Sequence, residues 1–314
     1  MGTTQKNTPY KKKVAFLVAF VFFFFAPKVA FAQGVSLSVT PPILEVMVAP
    51  GKEASYDFII SSIDTAVIVS PQIVEFFPVG IEGESEESAS PAPSFVSYNV
   101  SPIALGPGAS SRLKVKFAPP EDAEEADYYL RLFFQTQELP TIGGSASFAT
   151  VKIAANILLT VSKDGLPNKL ASISKFSSPR IVDSFFPIIY EVEIQNAGRT
   201  FFKPIGKIGV TSTFQKDVSL DLAPQNILAF SSRKIPCIEA EDLVDCRLPG
   251  VFHIGAYEAT LEFNADDTGK LYSQSVKTFA FPFSLLAVPL IFFFVYRLTL
   301  TLSEKLGRGN KDNK

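Results

Sequence analysis

The sequence predicts an all-β protein: two tandem immunoglobulin-like β-sandwiches between an N-terminal signal peptide and one C-terminal transmembrane helix. Three observations predict it. The 314 residues leave room for about two ordinary domains once the apolar ends are set aside. The middle of the chain consists of short runs that alternate apolar and polar side chains, bounded by Pro, Gly, Asn and Ser, with almost no helical periodicity. Each apolar end carries its own charge signature.

Residues 1–32 read as the signal peptide. Lys11, Lys12 and Lys13 precede an apolar run from Val14 to Phe25, and Ala30-Phe31-Ala32 supplies the small-residue site, so cleavage is expected before Gln33. Twelve apolar residues reach about 18 Å as helix, short of a hydrocarbon core roughly 30 Å thick.

The first sandwich is expected over 33–165. Tyr56, Phe58 and Ile60, then Leu113, Val115 and Phe117, then Leu130, Leu132 and Phe134 each alternate with other residues, so one face of each strand is core. Pro50-Gly51 and Pro107-Gly108 precede two of these strands as turns, with Pro presetting φ and Gly taking positive φ. Gly80 to Ser94 is acidic, small and proline-bearing, and is expected to be a mobile loop. The run Phe148 to Ser162 closes the domain, and Lys163 to Asn168 reads as a linker.

The second sandwich is expected over 166–277. Tyr190, Val192 and Ile194 alternate with polar residues, Asn196-Ala197-Gly198 gives a turn, and strands follow around Ile208, at Val218 to Leu222 and at Tyr257 to Phe263. The transmembrane helix is placed at 278–297, because Thr278 to Tyr296 carries no charge over nineteen positions, about 28 Å of helix. Pro282 fits its start and Pro289 would kink it. Residues 298–314 form a basic tail. Arg297, Lys305, Arg308, Lys311 and Lys314 outnumber Glu304 and Asp312, which places the tail in the cytoplasm and the sandwiches outside the cell membrane.

Charge excludes a class of ligand. Residues 33–277 hold 19 Lys and Arg against 29 Asp and Glu, a net charge of −10, and nucleic acid is not an expected partner. The two cysteines, Cys237 and Cys246, lie in the exported part, where a bridge between them is favoured. It would close a loop of ten residues and contribute about 3 kcal/mol. The spacing is not a C-x-x-C redox motif.

Chemistry-bearing residues are few. The single histidine, His253, has no nucleophile elbow and no second ligand at metal spacing, and is read as a structural or surface strand-edge residue. Asp266-Asp267 could approach a calcium ion, but the run has the composition of a hairpin turn, and the turn is favoured. No catalytic, metal-binding or cofactor-binding residue is expected, and the chain is not read as an enzyme. Tyr129 and Phe133 alternate with Leu130 and Leu132, which makes them the candidate contact face; cover by the second sheet or by the other domain is the competing position for both.

Several segments carry a family resemblance: Val39-Thr40-Pro41-Pro42 leading to Ala49-Pro50-Gly51, Leu105 to Gly108, Asp127 to Phe134, Glu193 to Gly198 through Lys203-Pro204-Ile205-Gly206, Asn226-Ile227-Leu228 with Ser232-Arg233, and Gly255-Ala256-Tyr257. With the order signal, sandwich, sandwich, helix and basic tail, the chain resembles the WxL-interacting proteins of Gram-positive surfaces and related envelope proteins. That resemblance implies peptidoglycan contact by the first domain and a protein partner for the second.

Three functions are weighed. The first is a non-enzymatic, membrane-anchored binding or scaffolding protein that contacts cell-wall material or another surface protein. The second is a pilus-type assembly chaperone acting by β-strand addition, which an open edge with an apolar alternating ledge would favour. The third is an anchored hydrolase, which needs a concave site with clustered ionisable groups.

Overall fold

The computed structural model describes residues 36–136, 150–165, 169–265 and 269–309, with side chains to Thr301. The signal segment, residues 166–168 of the linker and the Asp266-Asp267 turn lie outside the described residues.

The first half contains β1 (Leu37–Thr40), β2 (Ile43–Val48), β3 (Ala54–Ser62), β4 (Val67–Val79), β5 (Glu84–Pro91), β6 (Val96–Tyr98), β7 (Ile103–Leu105), β8 (Ser110–Phe117), β9 (Asp127–Thr136) and β10 (Lys152–Val161). One sheet has the order β1-β3-β8-β6 and the facing sheet the order β2-β10-β9-β4-β5, with β7 also on β4. This interleaving of sequence neighbours between two facing sheets is the immunoglobulin-like arrangement. The alternation builds its core: Phe58, Ile60, Leu113, Val115 and Phe117 from one sheet meet Leu130, Leu132, Phe134, Ile157 and Leu159 from the other.

The second half repeats the plan with β11 (Ala171–Ser177), β12 (Ile181–Asp183), β13 (Glu191–Asn196), β14 (Pro204–Ser212), β15 (Val218–Asp221), β16 (Ser232–Lys234), β17 (Cys237–Glu239), β18 (Asp242–Val244), β19 (Gly255–Ala265) and β20 (Leu271–Phe281). Its sheets run β11-β13-β16 and β12-β20-β19-β14-β15, with a separate β17-β18 hairpin. Val192, Ile194, Ile208, Val210, Leu261 and Phe263 are buried in its core.

In both halves the leading strand divides between the sheets. β1 pairs antiparallel with β3, and after Pro41-Pro42, two residues with no backbone donor, β2 pairs parallel with β10. Likewise β11 pairs with β13, and beyond Pro179 β12 runs parallel to β20.

Two expectations are corrected. Gly80 to Ser94 is not a free loop: Glu84–Pro91 is strand β5, hydrogen-bonded to β4. A backbone ladder needs no apolar side chains, and Glu87 meets Lys152 at 3.3 Å and Arg131 at 3.9 Å. The helix also starts later than Thr278. β20 continues to Phe281, paired with β19 on one side and β12 on the other, and helix α1 spans Phe283–Gly309. Thr278 and Ala280 are buried in the second sandwich, which therefore extends past 277. An uncharged run does not distinguish a buried strand from a helix. Phe283–Thr301 is long and apolar enough to cross a membrane, and none of it is buried against the sandwiches.

Candidate functional site

The two halves meet along a polar seam. The Asp127 carboxylate accepts hydrogen bonds from the Thr160 hydroxyl (2.7 Å), the Tyr129 hydroxyl (2.9 Å) and the Phe201 amide of the second half. The Tyr129 hydroxyl in turn accepts from the Ala229 amide at 2.7 Å, and the Asp127 amide donates to the Arg199 carbonyl at 3.2 Å. Burial pushes the Asp127 carboxyl above its usual range against the lowering pull of its donors. Burial, and then the Asp127 charge, pushes the Tyr129 phenol above its ordinary value.

Beside the seam lies a cleft of about 540 Å³ lined from both halves. Glu45 of β2 takes Lys203 at 2.8 Å and the Asn226 side-chain amide at 2.7 Å. Burial pushes Glu45 up, but these two donors outweigh it and hold its pKa below the ordinary value. Arg233 donates to the Asn226 carbonyl at 2.7 Å, while its Nε is buried without a partner. Gly83, at φ 87°, packs against that guanidinium so closely that a Cβ would fall 2.5 Å from it.

The expected contact face is occupied. Tyr129 is spent on the seam, and Phe133 is 5% exposed with Lys152 Nζ 3.4 Å from its ring centroid. Neither side chain offers a free surface: the second half covers Tyr129, which was the competing position, whereas Phe133 lies under Lys152 of β10, a neighbour in its own sheet. The aromatic alternation gave their face but not what packs on it.

His253 is buried, with both ring nitrogens unpartnered and the Tyr257 ring perpendicular at 6.0 Å. Desolvation lowers its pKa, which favours the neutral ring. Cys237 and Cys246 form a disulfide with Cα atoms 4.9 Å apart, both buried in the second core. The bridge closes the β17-β18 hairpin, whose turn residues Ala240 and Glu241 both have positive φ, 49° and 75°.

The remaining candidate is a strand edge. β2 pairs with β10 only from Asn156 to Val161, so among the described residues no strand covers the outer side of Lys152–Ala155. The Asn156 amide donates to Pro42 on that side, and strand alternation therefore turns the Lys152 and Ala154 amides the same way. Val151 and Ile153, half-buried, and Ala155, buried, form an apolar ledge along this opening. The sequence shows only a long apolar run here; the length mismatch that opens the edge, ten residues in β10 against six in β2, is seen only in the structure. By contrast β5, at the other margin of the sheet, carries Glu84, Glu86 and Glu87 and is blunted against pairing.

No family model matches the chain, and no curated protein matches it. Among solved structures it is similar to the class 5 fimbriae chaperone CfaA, at 13% identity and a TM-score of 0.40, over 76% of this chain and 98% of that one. It is also similar to the E. coli chaperone DraB, at 14% identity and a TM-score of 0.37, over 77% and 98% of the two chains. A third is a chain of the CsuC-CsuE chaperone-tip adhesion subunit complex of Acinetobacter baumannii, at 11% identity and a TM-score of 0.38, over 78% and 99%. Likenesses at these scores decide nothing about what this chain binds.

Proposed function

We propose that the chain is a non-enzymatic protein of the cell envelope, anchored by α1 with its sandwiches outside and its basic tail inside, that holds an extended segment of another exported protein. The segment is taken by β-strand addition to β10. The observation that supports this reading is the outer side of Lys152–Ala155, which carries outward-facing backbone amides and an apolar ledge where β2 stops at Asn156. Strand addition uses main-chain hydrogen bonds for affinity and alternate side chains for selectivity, and it needs no catalytic group.

The aromatic pair expected as the contact face for wall material or for a surface protein is covered, so it lends peptidoglycan contact no support, whereas the open β10 edge suits a protein strand. The partner class that remains is another surface protein. The test is capture of envelope proteins by detergent-solubilised, full-length protein. Ala154→Pro removes one outward-facing donor, whereas Ala154→Val keeps it. Capture by Ala154→Pro should weaken about tenfold, the equivalent of about 1.4 kcal/mol, and Ala154→Val should capture like the parent. Equal capture by both variants, or retention of wall polymer in place of protein, would reject the strand-addition reading.

A further inference from the structure

The end of the second sandwich that adjoins α1 carries an unusual set of exposed rings. Phe185 and Phe186 follow β12, Val251 and Phe252 precede β19, Phe214 lies in the turn after β14, and Phe279 is near the end of β20. Phe186 is 64% exposed, Phe214 71% and Val251 88%. The pairing of Gly255 with Ala280 and of Val182 with Ala280 brings the strand ends to one side, and the Phe185 and Phe252 rings touch at 5.3 Å between centroids. Contiguous exposed apolar surface of this kind marks an interaction site.

The joint to the helix says what covers it. A single residue, Pro282, separates β20 from α1. Asp183 of β12 accepts from the Ser284 amide at 2.7 Å and the Ser284 hydroxyl at 3.1 Å, and also from the Phe185 amide at 3.0 Å. One carboxylate thus caps the first turn of the helix and holds the phenylalanine loop beside it. The Ser184 amide donates to the Phe281 carbonyl and the His253 amide to the Ser184 carbonyl, which ties the loop before β19 to the same point. No slack is left between the rings and the place where the apolar span begins.

We infer that this end of the sandwich is seated in the outer face of the bilayer, with Phe186, Val251 and their neighbours inserted at the boundary of headgroups and acyl chains. The occupant of the patch is lipid. The inference rests on the anchoring of α1 in a membrane, since only an entering helix brings the rings to that depth. Apolar rings placed there lose water contact without a protein partner, as an interfacial amphipathic element does. In the chain, Arg180 directly precedes β12 and Lys216 and Asp217 follow Phe214 by two and three residues, while Asp183 is engaged as the cap.

The chain contains no tryptophan, so single-tryptophan variants report position directly. Full-length Phe186→Trp, Phe252→Trp, Phe292→Trp in the helix and Phe77→Trp in the first sandwich would be reconstituted in phosphatidylcholine vesicles with lipids brominated either near the headgroup or at the acyl-chain ends. The expected result is a blue shift and loss of most emission for positions 186 and 252 with the shallow bromines. Position 292 should be quenched by the deep bromines, and position 77 by neither. Quenching at 292 with 186 and 252 as unquenched as 77 would overturn the inference and leave the anchor standing. An unquenched 292 would remove the anchor and the inference together. Because Phe186 is exposed and Phe252 partly so, a misfolded Phe252→Trp leaves Phe186→Trp to decide.

Discussion

The last strands of the two sandwiches, β10 and β20, occupy the same place in one topology and are left open by the same device. In each half the leading strand divides, and its parallel segment is shorter than the final strand it covers: β2 pairs six residues of β10, and β12 pairs three of β20. Among the described residues, the outer side of β20 from Leu271 to Lys277 therefore has no strand paired to it over a longer stretch than that of β10. What stands along the two openings differs. Beside the β10 opening the ledge is Val151, Ile153 and Ala155. Beside the β20 opening Gln274 interrupts Tyr272 and Val276, and Lys270 and Lys277 flank them. Polar interruption and edge lysines discourage strand pairing, whereas an apolar ledge invites it. Length of exposed edge alone does not make a binding site.

The two halves are separated by perturbing one at a time. The largest expected effect is confined to the second. Replacing Cys237 and Cys246 together by Ser should cost about 3 kcal/mol of that sandwich's stability in urea unfolding, with the transition of the first half unmoved. A parallel loss in both halves would show them unfolding as one unit.

A smaller effect tests the seam between them. Tyr129→Phe leaves the Ala229 amide without its acceptor and should cost about 1–3 kcal/mol in the coupling of the two halves, read as separation of two unfolding transitions. Smaller still, Glu241→Gly relieves a positive φ in the β17-β18 turn and should stabilise the second half by about 1 kcal/mol, with no gain in the first.

The least effect is a pH term at the seam. The folded pKa of Asp127 is raised, so the neutral form is favoured in the folded state. Its contribution is fully present below the unfolded value of about 3.9 and is lost as pH rises through the higher folded value. Melting of the parent and of Asp127→Asn, followed upward from pH 4, should show the parent losing ground to the variant. A constant difference would mean that Asp127 does not titrate in that window.

Much of this arrangement was legible beforehand. Alternation of period two placed Phe58, Val115, Leu132, Ile194 and Leu261 in cores, because side chains on a half-covered strand have one dry face. Two cysteines at close spacing, with the expectation of export, pointed to the bridge. Three things were not legible, each because it depends on a partner outside the segment itself, from a neighbouring hairpin strand to a residue 100 positions away. Glu84–Pro91 is a strand only because β4 supplies its ladder. Thr278–Phe281 is strand, not helix, because β12 and β19 flank it. Tyr129 is covered because the Ala229 amide, 100 residues further on, reaches its hydroxyl. The β10 opening lay between these extremes, visible as a long apolar run but locatable only once the extent of β2 was known.

The claim that β10, and not the longer β20 edge, receives a partner strand is tested most directly by photo-crosslinking in the intact envelope. A photoactivatable residue would replace Ala154 in one full-length protein and Ser275, whose amide faces the β20 opening by the same alternation, in another. Position 154 should give an adduct to a second exported protein and position 275 none. Adducts from 275 alone, or equal adducts from both, would contradict strand addition at β10.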